Sequence, residues 1–416
     1  MIKKKYLIII WLLSLIITVL WTYENPEKIS KIKDKIKLYK PKHEFKDGEK
    51  NTDENFDVYE SNHFILKIEK IASIEGKTSF LLNNSNKRNF NIKDVSIYTQ
   101  EGFELKKDKT KKLRINKNFT DDYNGGLKTV FFINDKKYGL ASSLIDLCYY
   151  ASIIDLSNGK ELFKSECLPT EEAHLIDFNG LGSSSIHLDE KLLISIGTPT
   201  SSSDTIKNFA QNSESFFGKI IYFEKENFIN NKLIRKNYSM GHRNPQGITK
   251  IKNTIFSVEH GPHGGDELNK IKFNFNYGWP KVSYGTRYSY DNDGISYSIG
   301  HKKEGFEEPI FALVPSVGIS ALNLCPTKLL EYYDKNCLMA LSLYGNKLRV
   351  GKSIIIYLLD ENLEKIHSIE KISLDRPLRH FMTNDKNEIY EDSNGDIYLS
   401  SDNDGIYRVS FNNFRK

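Results

Sequence analysis

Long amphipathic helices are missing from this sequence, so its periodicity lends no support to an α-rich fold. No Cys-x-x-Cys pair and no His/Cys cluster at metal-ligand spacing occurs, which argues against a zinc site. Nor is there a compact Lys/Arg stripe interleaved with aromatics. Lys, Ile and Asn are abundant throughout, and 59 Lys+Arg against 54 Asp+Glu leave a formal net charge of only +5. The lysines therefore read as a solvated surface, and nucleic acid is not expected as a partner.

What is present suffices for a large folded body. The chain has 416 residues, 39% of them hydrophobic and 12% aromatic. That length exceeds one ordinary domain unless the fold is a repeat or a barrel. At the N-terminus Lys3, Lys4 and Lys5 precede an apolar run from Tyr6 to Trp21. This is the pattern of an export signal or a signal anchor, assigned to residues 1–22. The run is slightly shorter than the roughly 20 residues that span a bilayer comfortably. No small-x-small cleavage site follows, which favours an uncleaved anchor over a cleaved peptide. Residues 6–21 would then hold the chain at the inner membrane, with the lysines inside and the body periplasmic or otherwise extracytoplasmic. Membrane contact is expected through this segment only. Residues 23–61 are Lys/Asp/Glu-rich and apolar-poor, and read as a charged tether. Residues 62–416 are left as the folded body.

The cysteines agree with export. Cys148 and Cys167 flank one expected hairpin, and Cys325 and Cys337 flank a shorter loop. Four cysteines admit more than one pairing. Local pairing, 148 with 167 and 325 with 337, is the expectation, with buried free thiols as the alternative.

From His63 onward, short β-runs are separated by Asn, Asp and Gly turns. One pattern recurs. "YGLASS" (Tyr138–Ser143), "LLISIG" (Leu192–Gly197), "TIFSVEHG" (Thr254–Gly261), "LMALSL" (Leu338–Leu343) and "DIYLSSD" (Asp396–Asp402) are tight apolar strands ending in small or polar residues. Most of their serines lie about fifty to sixty positions apart, a period that suggests propeller blades. The expected fold is an all-β, six-bladed β-propeller whose small polar strand ends lie at the axial mouth. Near the C-terminus, Asn403-Asp404-Gly405 supply a turn between two strands. Two β-sandwich domains are the runner-up, which explains short strands but not the spacing.

Two segments carry the chemistry. In "GHRNPQGI" (Gly241–Ile248), Pro245 fixes the turn and keeps Asn244 out of the helical region, and Gly241 and Gly247 let the chain reverse. Arg243 offers a planar fork of donors suited to carboxylates. In "EHGPHGGDELN" (Glu259–Asn269), backbone carbonyls of a Gly-Pro turn can face a hard cation, and Asp266 and Glu267 add hard oxygens of the kind Ca2+ prefers. "NYGWP" (Asn276–Pro280) brings aromatic bulk. Each alone is an ordinary surface turn. Together they describe a pocket for a flat, polyanionic ligand.

These three motifs resemble the soluble glucose dehydrogenase and aldose sugar dehydrogenase family, also called the glucose/sorbosone dehydrogenase family. The strong match covers Ser239 to Pro280, and weaker matches run from "NGGL" (Asn124–Leu127) to the C-terminus. The resemblance implies a six-bladed propeller that uses pyrroloquinoline quinone (PQQ) and Ca2+. It implies that Arg243 and Asn244 hold the quinone's carboxylates and carbonyls, with Asn124 at a neighbouring pocket position. The carbonyls of Gly261 and Pro262 would bind the Ca2+ that bridges to the cofactor, and Asp266 and Glu267 a second, structural Ca2+. Arg376 or Arg379, in "DRPLRHF", would line the same pocket. The partners implied are a small sugar or alcohol and an electron acceptor. The sequence gives no signal for assembly state.

The chain departs from the family's pattern on the catalytic side. The stretch that carries the family's catalytic histidine corresponds to "IDFNGLGSSSIHLDEKLLISIGTP" (Ile176–Pro199), where Phe178 or Leu181 stands in its place and Thr198 ends the strand. His174, His187 and His260 remain as candidates for the base. Asn124 replaces a Gln or Glu, "VPS" (Val314–Ser316) replaces a Trp-Pro-Thr-like stretch, and Tyr344 stands where a lysine is expected. Two function classes follow. One is an exported PQQ- and Ca2+-dependent sugar dehydrogenase that transfers hydride to the quinone. The other is a non-catalytic propeller that binds a carbohydrate, a Ca2+-stabilised ligand or a protein partner.

Overall fold

Runs rich in Ile, Leu, Val, Tyr and Phe alternate along the chain with turns built on Asn, Asp and Gly, and the runs become strands. The structure, a computed structural model, describes residues 45–47, 56–85, 87–169, 181–198, 204–287, 297–298, 300–344, 351–374 and 376–415. The anchor read at residues 1–22 and much of the tether read at 23–61 lie outside the described residues, as do His174 and Phe178. Every described element falls within the unit His43–Lys416.

The strands in chain order are β1 (Phe45–Asp47), β2 (Phe56–Glu60), β3 (Ile65–Ile74), β4 (Thr78–Asn83), β5 (Val95–Thr99), β6 (Phe103–Lys106) and β7 (Lys109–Lys112). There follow β8 (Leu127–Ile133), β9 (Lys136–Ile145), β10 (Cys148–Asp155), β11 (Lys160–Lys164), β12 (Leu168–Pro169), β13 (Ser185–Leu188), β14 (Lys191–Ile196), β15 (Lys219–Glu224) and β16 (Lys236–Met240). The last are β17 (Pro245–Ile251), β18 (Thr254–Glu259), β19 (Asp266–Ile271), β20 (Phe311–Leu313), β21 (Ile319–Leu324), β22 (Asn336–Ser342), β23 (Ser353–Leu359), β24 (Ile366–Ser373), β25 (His380–Thr383), β26 (Ile397–Ser401) and β27 (Gly405–Asn412).

β8–β11 form one antiparallel sheet, with β12 added on β10; β13–β16, β17–β20 and β21–β24 form three more. The remaining strands make a ten-stranded sheet from two antiparallel runs, β4–β7 and β25–β26–β27–β3. These meet at a parallel pairing, Met382↔Leu81 and Thr383↔Leu82. β27, near the C-terminus, sits between β26 and β3, so both ends of the described body share one sheet. Within the stretch read as a tether, β1 and β2 also pair with β3.

The core lies between the sheets. β5, β22 and β23 are buried almost throughout, which is why they read as continuous apolar runs rather than alternating ones. Each apolar cluster joins one run to the next. Phe80, Leu82 and Tyr98 pack on Val130 and Ile154; Leu140 and Ile153 on Ile194 and Ile221; Leu193 and Ile220 on Ile248 and Ile255. Phe256 and Leu268 pack on Leu338 and Ile355, Met339 and Ile356 on Leu399 and Val409, and Tyr398 and Ile406 on Leu81 and Ile97, back at the first run. The helices among the described residues are short, and none is long and apolar enough to cross a membrane.

Both disulfides form as the local pairing anticipates, Cys148–Cys167 and Cys325–Cys337, with Cα–Cα separations of 5.2 and 5.4 Å. The recurrent serines do mark equivalent strands: Ser143, Ser195, Ser257, Ser342 and Ser400 lie on β9, β14, β18, β22 and β26. The serines themselves are buried inside the sheets. Ser257 Oγ donates to the Gly247 carbonyl at 3.0 Å, and Ser195 Oγ accepts from Ser184 N at 2.9 Å. Ser195 and Ser257 thus latch neighbouring backbone, whereas Ser143 Oγ is buried without a partner. The turn at 403–405 forms, with the left-handed residue being Asn403 (φ 54) rather than Gly405. Gly405 is small for another reason: a Cβ there would lie 2.2 Å from the Ala72 carbonyl oxygen on β3.

Candidate functional site

The N-terminal ends of six strands, β4, β8, β13, β17, β21 and β25, open on one cavity of about 600 Å³. Lys77 and Thr78 reach it from β4, Leu127 and Lys128 from β8, Gly182 and Ser183 from before β13. Arg243, Asn244 and Gln246 come from the entry to β17, Ser316 and Gly318 from before β21, and Arg379 and His380 from the entry to β25. The turn after β18, His260–Gly264, and Leu343 and Tyr344 after β22 complete the wall.

The "GHRNPQG" turn is held from below. Gly241 has φ 78, and a Cβ there would lie 2.1 Å from Asn276 Oδ1. Glu259 accepts from the Arg243 backbone N at 2.7 Å, and its other oxygen lies 3.2 Å from His242 Nδ1. Arg243 is buried, donates through Nη1 to the His260 carbonyl at 3.0 Å, and lies 5.3 Å over the Trp279 ring. Asn244 Oδ1 accepts from Gly182 N at 2.9 Å and from Gln246 Nε2 at 2.8 Å. Its carbonyl accepts from His260 N at 3.0 Å, which ties the first motif to the second.

The Gly-Pro turn is as tight as its glycines imply: a Cβ on Gly261 would lie 2.1 Å from the Gly265 carbonyl oxygen. Asp266 fixes this turn. Its Oδ1 accepts from Gly261 N at 3.2 Å, and its Oδ2 from Val317, Gly318 and Ile319 N at 3.0, 2.8 and 3.1 Å. The acidic pair read as two ligands of one Ca2+ is thereby split. Asp266 and Glu267 are successive residues of a strand and face opposite sides. Asp266 lines the cavity, whereas Glu267 lines a neighbouring recess with Tyr277 and Trp279. Burial and the nearby Glu259 carboxylate push the Glu267 carboxyl well above its usual range. Among the described residues no three His, Cys, Asp or Glu side chains converge on a metal-sized point.

Of the two arginines in "DRPLRHF", the structure brings only Arg379 to the cavity. Its Nη2 lies 2.6 Å from Asp402, whose other oxygen accepts from Thr78 N at 2.9 Å. Arg376 pairs instead with Asp57 and lies 4.5 Å over Tyr407. Asn124 is not among the residues that line the cavity; its Oδ1 accepts from Lys77 Nζ, which does, at 3.0 Å.

The histidines separate. His187 belongs to a different cavity of about 410 Å³ with Lys225, Lys250 and Lys386, so it is not at this site. His174 lies outside the described residues. Leu181 is fully buried and supplies no base. His260 lines the cavity with Nε2 buried and unpartnered, and burial lowers its pKa despite the opposing charge of Asp266. His380, which sequence reasoning missed, also lines it. Burial, helped by Arg379, pushes its pKa down to about 4, and its Nε2 donates to the Thr78 carbonyl at 3.1 Å. Its place beside Arg379 in "LRHF" was the available signal. Lys77 and Gln100 were missed too, because they precede the stretch in which the motifs are recognisable.

Thr78 Oγ1, Ser183 Oγ, His260 Nε2 and Ser316 Oγ are buried without a partner, and their residues all line this cavity. Buried polar atoms are rarely left this way, and such a cluster calls for a polar ligand. Four basic side chains, Lys77, Lys128, Arg243 and Arg379, share the wall with one carboxylate, Asp266, whose oxygens are filled by backbone N–H groups. The donor set fits a planar anionic ligand of several carboxylates.

The profile of the "Glucose / Sorbosone dehydrogenase" family matches residues 154–408. An aldose sugar dehydrogenase of Escherichia coli is 32% identical over 123 residues, 27% of this chain and 33% of that protein. A quinoprotein glucose dehydrogenase of Acinetobacter calcoaceticus is 34% identical over 91 residues, 20% of this chain and 18% of that protein. The chain thus matches a third or less of these curated relatives' own length. Among solved structures, the PQQ-bound aldose sugar dehydrogenase of Streptomyces coelicolor superposes with a TM-score of 0.55 at 16% identity, covering 83% of this chain and 98% of that one. At that identity the likeness is one of fold.

Proposed function

The chain belongs to the glucose/sorbosone dehydrogenase family, and from that premise we propose that it is an exported PQQ- and Ca2+-dependent dehydrogenase acting on a sugar or another alcohol. The observation that carries this reading is the cluster of unpartnered polar atoms and basic side chains around one cavity at the strand ends. When bound, PQQ supplies the two-electron acceptor, and Ca2+ supplies the charge that polarises it. Arg243, Arg379 and Asn244 would hold the cofactor's carboxylates and carbonyls, with the carbonyls of Gly261 and Pro262 facing the Ca2+. Trp279 stiffens Arg243 from beneath, and Asp266 keeps the Gly-Pro turn in register with the 317–319 backbone. For the second Ca2+, Glu267 and the unpartnered Oδ1 of Asn269 present hard oxygens.

His260 is the proton acceptor in this reading. Its ring bonds the Ile319 backbone and its Nε2 has no partner. With Nδ1–H directed at a carbonyl, Nε2 presents a lone pair to the cavity. It takes the part that the family gives to a histidine in whose place Phe178 or Leu181 stands here.

The fold proposed is a six-bladed propeller over residues 62–416. The chain of apolar clusters that returns to its first run supports that count. The two disulfides fit an extracytoplasmic, oxidising compartment. Residues 1–22 would direct export, residues 6–21 serving as the inner-membrane anchor, and part of 23–61 as tether.

The test is a dye-reduction assay of purified protein with PQQ, Ca2+ and a panel of aldoses. Turnover that requires both additions is expected, and Arg243→Ala should abolish it with the fold intact. Saturable PQQ binding without turnover of any sugar would mark a non-catalytic relative. Absence of both binding and turnover would refute the cofactor assignment.

A further inference from the structure

Lys77 lines the cavity without a carboxylate partner. Arg379 is matched by Asp402 at 2.6 Å, and Arg243 by the His260 carbonyl and the Trp279 face. Lys77 is half-buried, and its Nζ donates to a neutral acceptor, Asn124 Oδ1, at 3.0 Å. No carboxylate among the described residues lies within ion-pair distance of it. An ammonium has three protons to place, and withdrawing it from water against a neutral amide is unfavourable unless an anion arrives. Beside it, Thr78 Oγ1 is buried and unpartnered. The two make a donor pair at the start of β4, and β4 pairs with β25, which Arg379 precedes.

The cavity also lacks two cations that its motifs led one to expect. Tyr344 stands where a lysine was expected, and Arg376 is turned away to Asp57. We infer that Lys77, with Thr78, is a carboxylate-binding residue of this cavity, supplying from the first run the charge that the later runs lack. This rests on the dehydrogenase reading above for the identity of the anion: a carboxylate of the bound quinone, or that of an acidic sugar such as a uronic acid. The chemistry is the same, and the experiment separates the two sources.

The full chain would be compared as wild type, Lys77→Gln, Lys77→Arg and Asn124→Asp, with Lys109→Gln on exposed β7 as a control that removes the same net charge. PQQ affinity would be read by fluorescence quenching, and D-glucuronate against D-glucose by calorimetry and by KM. A charge-assisted contact predicts about 10- to 100-fold weaker PQQ binding in Lys77→Gln. A flatter salt dependence should accompany it. Lys77→Arg should recover most of the loss, Lys109→Gln should show none, and the thermal midpoint should stay unchanged throughout. Asn124→Asp, which gives Lys77 an internal counter-charge, should weaken binding without removing the lysine. Unchanged PQQ affinity with a lost preference for glucuronate would assign the carboxylate to the substrate. Wild-type protein that binds no PQQ would refute the cofactor assignment, and calorimetry with glucuronate would then decide the lysine's role alone. If neither ligand responds to Lys77→Gln, the inference is overturned.

Discussion

His380 and Asp266 show how much a single side chain's surroundings decide. The folded-state pKa of His380 is pushed down to about 4 by burial, with Arg379 adding to the effect. An unfolded histidine titrates near about 6.5. Between these values the unfolded chain binds more protons than the folded one, so stability is present above about pH 6.5 and is lost as the pH falls toward 4. Urea unfolding midpoints across that window should fall less steeply in His380→Gln than in wild type, the difference being on the order of 2–3 kcal/mol. Equal slopes would place the acid sensitivity elsewhere. Asp266 carries the complementary lesson. Its residue type and its Gly-rich approach made it legible as a cation ligand. The four N–H groups that claim its oxygens were not, because three of them belong to residues 317–319, about fifty positions away.

The segment between β14 and β15 depends on one buried lysine. Lys219 is fully buried and donates to the carbonyls of Phe209, Ala210 and Phe217 at 2.8, 3.0 and 2.8 Å. Burial lowers its pKa to about 7. Gln211, in the loop it gathers, donates to Asn276 Oδ1 and to the Trp279 carbonyl, so the loop braces the ring under Arg243. Lys219→Met would leave the Phe217 carbonyl without a donor and take one of two donors from the Phe209 and Ala210 carbonyls, at a cost of about 1–3 kcal/mol in chemical unfolding. It should also weaken ligand binding at a cavity it does not touch. A variant as stable as wild type would contradict this account. The strands themselves were readable, since a run such as "LLISIG" has few alternatives to a buried strand. The role of its serine was not. An apolar run ending in serine looks the same whether the hydroxyl meets a ligand or the next strand, and here Ser195 meets the backbone around Ser184.

Across the whole molecule, the recurrence of one strand type and the two loop-closing cysteine pairs were visible in the sequence. Closure was not, because it depends on β27 entering between β26 and β3 and on β4 lying beside β25. The β27–β3 and β4–β25 pairings join residues more than three hundred positions apart, and no local pattern encodes them. The disulfides act on the same scale. Replacing Cys148 and Cys167 together by serine should lower stability by about 2–4 kcal/mol, read as a drop in denaturation midpoint, and reductant, which opens both bonds, should lower the wild type at least as far. No change on reduction would detach these bonds from the fold's stability. The site gathers residues from all around this closed arrangement. Its half around Arg243 and the Gly-Pro turn was legible because "GHRNPQG" and "EHGPHGGDELN" are each unbroken runs close together in the sequence. Lys77 and His380 come from the first and last runs, which meet only in the fold.

One titration weighs the whole account. Protein stripped of metal is titrated with PQQ in the presence and absence of Ca2+, following quinone absorbance, in wild type and Arg243→Ala. The account predicts saturable, near-stoichiometric binding that needs Ca2+ and is weakened at least about tenfold by the loss of Arg243's charged contacts. Quinone that fails to saturate the wild type, or that binds Arg243→Ala equally well, would contradict it.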